Sequence, residues 1–414
     1  MIRVLCVRRR KMVTEFKATL MEKIIVAVVM VFSYIYFTAF CVTDFVARIL
    51  LGIFVIGFIG IGEVMFWNIK RSVESYIFLV LTLMISISYC FDVGAVWESG
   101  AKIFFIHLFA VYWLICRADR LVEGRTSHLF AVDGVVGFVL IPFSNYILGI
   151  ETIGTVFSGI KKNDRKRLFI IFGSILLGII LFVCAMSFLK DSDANFEAMM
   201  SIFDIEFEWK YIFRIGVSVI IGLYLYGLFG GYYRTDRRVI TEYGNIVNRT
   251  IAKLNKVPEF IWVIFIALFS IFYIVFFLLQ GSYLFDSLSM ILPANYTFSQ
   301  NAHKGFENMC AVMLINFLLT WLTLRTSEKK NMAIKISTTV LMVESLIFAL
   351  IAFLKLYMYI DVYGFTPLRL QSVWLVCVLI YACICIIIRL YTGKKTAGVW
   401  FIGSAASLAV LTLF

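Results

Sequence analysis

The sequence contains little charge, proline or histidine. Of its 414 residues, only 15% are charged, while four are Pro and three are His. Soluble globular domains carry about 25% charged residues, whereas 62% of this chain is hydrophobic and its mean hydropathy is +0.94. This composition excludes a soluble globular protein, a disordered chain and a disulfide scaffold, and it indicates a polytopic membrane protein.

Sequence signatures for metals and catalysis are also missing. The nine Cys form no C-x-x-C pair, so a structural zinc site is not expected. Cysteines inside apolar runs, such as Cys184 and Cys383, are interpreted as packing residues. No Ser-His-Asp, H-E-x-x-H or Walker pattern is visible. The sequence therefore predicts no metal and no cofactor, and it gives no positive support for an enzyme.

Eleven apolar runs predict membrane-spanning helices. A span needs about 20 apolar residues, and its backbone must be hydrogen-bonded internally. The runs are continuous rather than alternating, which favours helices over barrel strands. We therefore predict an all-α transmembrane bundle with spans at residues 24–41, 45–66, 76–91, 103–116, 168–189, 212–232, 260–280, 309–325, 337–357, 372–390 and 397–413.

A further apolar run at 129–150 is interrupted by Asp133, Pro142 and Asn145. Lys and Arg concentrate on the cytoplasmic side of membrane proteins. If this run does not cross, the cytoplasmic segments hold 30 of the 38 Lys and Arg and the outer segments hold 8, whereas crossing makes the counts 18 and 20. We therefore predict a re-entrant or interfacial segment broken near Pro142, with the N-terminus in the cytoplasm and the C-terminus outside.

This topology predicts four parts of the chain. A basic cytoplasmic tail covers 1–23, a four-span part covers 24–126, the re-entrant or interfacial segment covers 127–160, and a seven-span part covers 161–414. The expected location is the plasma membrane, with multiple passes.

The net charge of +12 is interpreted as loop charge that orients the helices, not as a nucleic-acid surface. The largest cytoplasmic loop, 233–258, is basic. We expect it to contact anionic headgroups of the lipid bilayer, and it is also the candidate docking site for a protein partner.

Ionisable residues inside spans are costly and mark candidate functional positions. Glu63, His107 and Glu344 qualify, and Lys355 lies on the same predicted helix as Glu344. Glu63 is expected to be paired, protonated or exposed to a wet cavity. For His107, a neutral hydrogen-bonded structural role stands beside a proton relay. Lys355 is three turns from Glu344, too far for a direct bond, and is expected to extend toward the outer surface.

Three polar segments carry a family resemblance. They are Phe188–Phe196, Tyr296–Glu307 leading into a span with Asn316, and Lys355–Leu370. Together they resemble a bacterial family of multi-span membrane proteins of the DUF4173/DUF4153 type, a domain of unknown function. The resemblance covers roughly residues 160–390 and implies architecture without an activity. Lys304 departs from the family pattern, where Arg is usual, and Lys offers a point charge rather than a fork.

The predicted topology places these segments at one outer face. The candidate cluster there consists of Asp193, Lys304, Glu307, Tyr363, Thr366 and Arg369. Pairing of Glu307 with Arg369 or Lys304, and of Asp193 with the other, would create a polar site. The alternative is a structural turn, with Gly364 and Pro367 reversing the chain and Thr366 as a helix N-cap.

Three functions remain open at this point. The first is transport or translocation of a small solute, ion or lipid, supported by the buried acids and the broken apolar segment. The second is a non-catalytic sensory or assembly subunit of an envelope complex, docked through the basic loop. The third is an intramembrane enzyme that acts on a lipid-linked substrate through the outer carboxylates.

Overall fold

The computed structural model describes residues 17–42, 44–156, 209–252, 258–288, 298–326 and 331–414, with isolated positions between 174 and 185. It is 85% helical and contains no strand in the part described. The predicted all-α fold is therefore confirmed. The predicted span at 168–189 lies outside the described ranges, apart from isolated positions.

Thirteen helices follow one another in the described ranges. They are α1 (Leu20–Cys41), α2 (Asp44–Met65), α3 (Val73–Cys90), α4 (Ser99–Arg117), α5 (Phe130–Ser144), α6 (Tyr146–Val156), α7 (Trp209–Arg234), α8 (Arg237–Ala252), α9 (Glu259–Leu288), α10 (Phe298–Thr326), α11 (Met332–Tyr363), α12 (Pro367–Thr392) and α13 (Ala397–Leu411).

Nine of these helices are long and apolar enough to cross a membrane. They are α1 to α4, α7 and α9 to α12, and each coincides with a predicted span. The two short runs at 76–91 and 103–116 extend into their flanks, because α3 begins at Val73 and has 18 residues and α4 begins at Ser99 and has 19. The run at 397–413 forms α13, which has 15 residues and is shorter than these nine helices.

The segment 129–150 forms two helices that are bent against each other. The axes of α5 and α6 differ by 41°. Pro142 has no N–H with which to bond the carbonyl of Phe138, and the hydroxyl of Tyr224 donates to that carbonyl instead, at 2.8 Å. Residues Val136–Leu140 of α5 form a π-helical turn, and the α-helix resumes at Ile141 and continues past Pro142 to Ser144. The break comes at Asn145, whose side chain donates to the carbonyl of Ile141.

This bend agrees with the predicted interruption, three residues later than expected. A broken span and a re-entrant segment share this geometry, so the sidedness of the chain stays a prediction. The four predicted parts of the chain likewise remain a prediction.

The chain forms two compact units. Unit 1 contains residues 1–92, 103–121 and 132–240, and unit 2 contains 93–102, 122–131 and 241–414. In unit 1, α7 packs against α1, α5 and α6. Its aromatic core includes Trp113, Tyr226 and Phe229, which are at most 1% exposed.

Unit 2 is organised around α11, which packs against α9, α10 and α12. Phe348 of α11 lies at the centre of an aromatic group, with Tyr273 at 4.9 Å and Phe277 at 4.7 Å between ring centroids. Met313, Leu341 and further apolar residues of these helices complete a tightly buried core. This core surrounds the polar residues described next.

Candidate functional site

Glu344 lies buried between helices of unit 2. It sits near the middle of α11 and is only 5% exposed. The hydroxyl of Ser270, on α9, donates to its carboxyl oxygen Oε2 at 2.9 Å. No ion pair of Glu344 with a cation is found among the described side chains. The described partner of this acid is therefore a hydroxyl group.

A chain of hydrogen bonds lies beside Glu344 and joins α9, α10 and α11. Tyr273 of α9 donates to Asn316 Oδ1 of α10 at 2.7 Å, and Asn316 Nδ2 donates to Ser345 of α11 at 2.9 Å. Ser345 in turn donates to the carbonyl of Leu341. Ser270 and Tyr273 are three residues apart, so one helical face presents both. We call Ser270, Tyr273, Asn316, Glu344 and Ser345 the Glu344 network.

Buried threonines continue the polar face of α10 from Asn316. Thr320, Thr323 and Thr326 follow at helical spacing, and each is at most 6% exposed. The hydroxyls of Thr320 and Thr323 have no hydrogen-bond partner among the described residues, and neither does that of Thr338 on α11. A line of buried hydroxyls therefore runs from Asn316 toward the C-terminal end of α10.

Lys355 is separate from the Glu344 network. It lies eleven residues further along α11, which corresponds to about 16 Å at 1.5 Å per residue. This separation agrees with the expectation that the two do not bond. Lys355 is only 9% exposed within the chain.

Glu63 is bound by two arginines at the end of α2. Its Oε2 atom lies 2.9 Å from Arg117 Nε and 2.8 Å from Arg71 Nη2. Arg117 is 1% exposed and also donates to the carbonyl of Ile69. Of the alternatives for Glu63, the structure therefore shows an ion-paired carboxylate. Because Arg117 lies on α4 and Arg71 lies in the loop after α2, this ion pair connects α4 to that loop.

His107 is buried on α4 of unit 1. Its Nδ1 atom lies 2.6 Å from the carbonyl of Ile103, one turn earlier, so Nδ1 carries the proton. The rings of Tyr36 and His107 are nearly perpendicular, with centroids 5.3 Å apart, and Nε2 has no partner among described atoms. These contacts match the structural alternative, because a backbone carbonyl holds the ring in one orientation.

The predicted outer cluster is only partly described. Asp193 lies outside the described residues, and Lys304 is placed on α10 without a described side chain. Glu307, also on α10, is exposed. None of the ion pairs between described residues joins Glu307 to Arg369.

Arg369 instead holds the turn between α11 and α12. Its guanidinium donates to the carbonyls of Tyr363 and Gly364 and stacks over the ring of Tyr359 at 4.2 Å. Gly364 has φ +78°, which glycine adopts without strain. Thr366 occupies the N-cap position of α12 and Pro367 its first turn, but the Thr366 side chain makes no capping hydrogen bond. These contacts match the structural alternative for this turn.

Sequence reasoning missed the partners that lie far along the chain. Ser270 is 74 residues from Glu344, and Glu22 is 212 residues from Arg234, which binds it in unit 1. A serine in an apolar run carries no special signal. Glu22 does carry a local sequence signal, because Thr19 and Glu22 have capping-box spacing and that box is formed at the start of α1.

No group of three or more potential metal-binding side chains occurs in the described ranges. The composition and helices define the class of the protein, which is a helical integral membrane protein. The family model described as Domain of unknown function (DUF4153) matches residues 77–414, and the chain belongs to this family. The match begins well before residue 160, where the sequence motifs placed the start of the resemblance. Comparison with curated proteins and with solved structures finds no match.

Proposed function

We propose that the protein is a transporter of the plasma membrane, and that the helices of unit 2 couple translocation of a small solute, ion or lipid to proton movement at Glu344. One observation carries the proposal: a carboxyl group buried near the middle of a spanning helix has a serine hydroxyl as its partner. Ionisable residues inside membrane spans are rare and costly, and they commonly mark ion pathways or proton relays.

The physical reason lies in the cost of charge. A carboxylate near the centre of the bilayer costs at least about 2.5 kcal/mol, and more when no cation is near. In the proposed cycle, Glu344 is a neutral acid in the resting state. It becomes charged only when a conformational change brings water or a cation to it. An ion that binds one state better than the other shifts the equilibrium between them, and this differential binding is the basis of coupling.

The surroundings of Glu344 support this role. Tyr273, Asn316 and Ser345 hold the three helices in register around the acid. The buried hydroxyls of Thr320 and Thr323 continue the polar face of α10 toward one end of the helix. Hydroxyl groups both donate and accept hydrogen bonds, so this line is chemically suited to a path for protons or small cations.

The test is flux through the reconstituted protein. Full-length protein is placed in liposomes that contain a pH-sensitive dye, and a potassium gradient with valinomycin imposes a membrane potential. We expect proton influx that requires the protein, and Glu344→Gln should reduce it at least tenfold. Asp361→Asn, which neutralises an exposed acid on the same helix, is the matched control. Equal flux through the wild type and Glu344→Gln would exclude the proposed role of Glu344.

The sidedness behind this proposal has its own test. If 129–150 does not cross, positions 70 and 394 both face the cytoplasm, whereas a crossing places them on opposite sides. Cysteines introduced at Lys70 and Lys394 in a variant without native cysteines can be labelled with a membrane-impermeant maleimide in intact cells. We expect both to be protected. Labelling of only one position would show that 129–150 crosses.

A second candidate function is a non-catalytic subunit that docks a protein on the basic loop 233–258. The observation in its favour is α8, which buries Ile240 and Tyr243 and exposes Arg238 and Arg249. A photo-crosslinking residue at Arg238 should then capture one defined partner from its native membrane. Charge reversal at Arg249 should abolish that crosslink, and crosslinking that is unaffected by the reversal would exclude this docking face.

A further inference from the structure

Five ionisable side chains meet in unit 2 at the end where α10 and α12 finish. Glu123 and His128 come from the segment 122–131, Arg325 and Arg389 from the last turns of α10 and α12, and Lys395 from the turn before α13. We call these residues the Glu123 cluster. The Oε2 atom of Glu123 is 3.6 Å from Lys395 Nζ and 3.8 Å from His128 Nδ1.

The charges of the Glu123 cluster do not balance. Arg325, Arg389 and Lys395 are cations, and Glu123 is the one carboxylate of the cluster, so two positive charges have no carboxylate partner among the residues that the structure describes. Arg325 is repelled by Arg389, and both interact favourably with Glu123. Like charges are held together at the end of a buried helix bundle only at a cost, and a bound anion would remove that cost.

Hydrogen-bond donors in the cluster are also unused. The Nη2 atom of Arg325 is buried and has no partner among the described atoms, and Nη1 reaches Asn248 Oδ1 only at 3.5 Å. The Nε2 atom of His128 is likewise buried without a partner there. Buried polar atoms of native proteins are nearly always hydrogen-bonded, so such groups call for an explanation such as a bound ion.

The segment that carries Glu123 and His128 is held in place by packing. Phe130 stacks on Phe401 of α13 with ring centroids 4.5 Å apart. A Cβ atom on Gly398 would collide with the carbonyl of Thr126, so the backbone of α13 approaches this segment closely. The cluster is therefore built on packed elements, which lowers the entropy cost of binding a ligand.

We propose that the Glu123 cluster is a binding site for a phosphate group, supplied either by a phospholipid headgroup or by free phosphate. A guanidinium offers a planar fork of donors that matches phosphate oxygens. Two uncompensated positive charges attract the single negative charge of a phospholipid diester, and they come closer to matching free phosphate, which carries about −1.5 near neutral pH. The position at the ends of spanning helices is the level at which headgroups lie.

His128 fits a site of this kind. Burial and the neighbouring cations lower the pKa of His128 to about 4, against the opposing effect of Glu123. The imidazole is therefore neutral at pH 7, and it adds no further repulsion to the empty cluster. A phosphate bound nearby would favour the charged imidazolium, so we expect binding to strengthen as the pH falls below neutrality.

The experiment measures phosphate binding to delipidated full-length protein in neutral detergent. One arm uses equilibrium dialysis with radiolabelled inorganic phosphate. The other uses native mass spectrometry after addition of phosphatidylglycerol or phosphatidylcholine. The variant Arg325→Gln/Arg389→Gln should weaken binding about 100-fold, since each charge-assisted contact contributes about tenfold. A matched pair, Lys395→Gln and Lys394→Gln, removes the same charge inside and outside the cluster.

Binding in the phosphate arm that is lost in the double variant identifies a free phosphate site. Preferential binding of phosphatidylglycerol that is lost in the same variant identifies a headgroup site. If neither arm responds to the double variant, or if Lys394→Gln weakens binding as much as Lys395→Gln, the site does not exist. Should the double variant fail to fold, the comparison of Lys395→Gln with Lys394→Gln decides alone. The Glu123 cluster shares no residue with the Glu344 network, so this result is independent of proton transport.

Discussion

Unit 1 and unit 2 each bury a glutamate on a spanning helix, but they give it different partners. In unit 1, Glu22 is 1% exposed, and Arg234 binds it through two nitrogens, one of them 2.7 Å from Oε2. In unit 2, Glu344 is 5% exposed, and its partner is the hydroxyl of Ser270. The two acids are thus alike in burial and differ in charge compensation.

This difference separates the structural role of Glu22 from the proton-coupling role that we propose for Glu344. A buried carboxylate bound by a guanidinium keeps its charge, and removing one partner leaves the other charge uncompensated. A buried carboxyl group bound by a hydroxyl has no such partner, so proton gain or loss changes its interactions with the surroundings. Glu63, held by Arg117 and Arg71, belongs with Glu22.

The largest effect on the free energy of unfolding is expected from Arg234→Ala in unit 1. Glu22 would keep its charge without its cation, and the free energy of unfolding should fall by about 3 kcal/mol. Denaturation by sodium dodecyl sulfate in mixed micelles measures the loss. Arg238→Ala, which removes an exposed arginine from the following helix, should change stability by less than about 0.5 kcal/mol. Equal effects of both changes would remove the distinction between the two units.

The next effect concerns the Glu344 network in unit 2. Asn316→Ala would leave the Tyr273 hydroxyl without its acceptor and Ser345 without a donor. A loss of about 2 kcal/mol is expected, because unsatisfied buried polar groups cost about 1–3 kcal/mol each. The same denaturation assay applies. Asn308→Ala, at an exposed position of the same helix, serves as the control, and a comparable loss there would mean that the network adds no stability.

A smaller effect should appear on acidification, through His128. Its pKa is lowered to about 4 by burial and by the cations around it, whereas the unfolded chain takes up the proton near pH 6.5. Between these values the unfolded state binds more protons, so stability falls as the pH drops from about 6.5 toward 4. The groups that face His128 are Glu123, Arg325, Arg389 and Lys395.

After discount for solvent screening, this contribution is about 1 to 2 kcal/mol. Melting temperatures of the wild type and of His128→Gln, taken between pH 7.5 and 4.5, measure it. The variant should show a flatter pH dependence than the wild type. Parallel curves for the two proteins would mean that His128 does not titrate in this range.

The smallest effect on stability is expected for Glu344→Gln. The amide carbonyl still accepts the hydrogen bond from Ser270, and no ion pair is lost, so stability should change by less than about 0.5 kcal/mol. Glu22→Gln is the matched change in unit 1, where loss of the charged pair with Arg234 should destabilise the protein. A large loss of stability at Glu344 would assign this residue a structural role.

Much of the helical architecture follows from local sequence. The spans at 24–41 and 45–66 were predicted within a few residues of α1 and α2, because unbroken apolar runs of this length must form helices in lipid. Gly364, Thr366 and Pro367 likewise predicted the turn before α12, since their backbone preferences are local. The break near Pro142 was expected, but its position at Asn145 and the hydroxyl of Tyr224 that binds the carbonyl of Phe138 were not.

The partner of each buried polar residue cannot be predicted from local sequence. Glu63 and Glu344 both stand out in the sequence as acids in apolar runs, yet one meets two arginines and the other a serine. Likewise, nothing in the sequence brings Glu123 next to Lys395. Helix formation depends on neighbours within one turn, whereas the pairing of an acid depends on which helices pack together and at what rotation. The apolar pattern along the chain therefore established a helical membrane protein, and the packing of distant helices determined which of its buried charges are compensated.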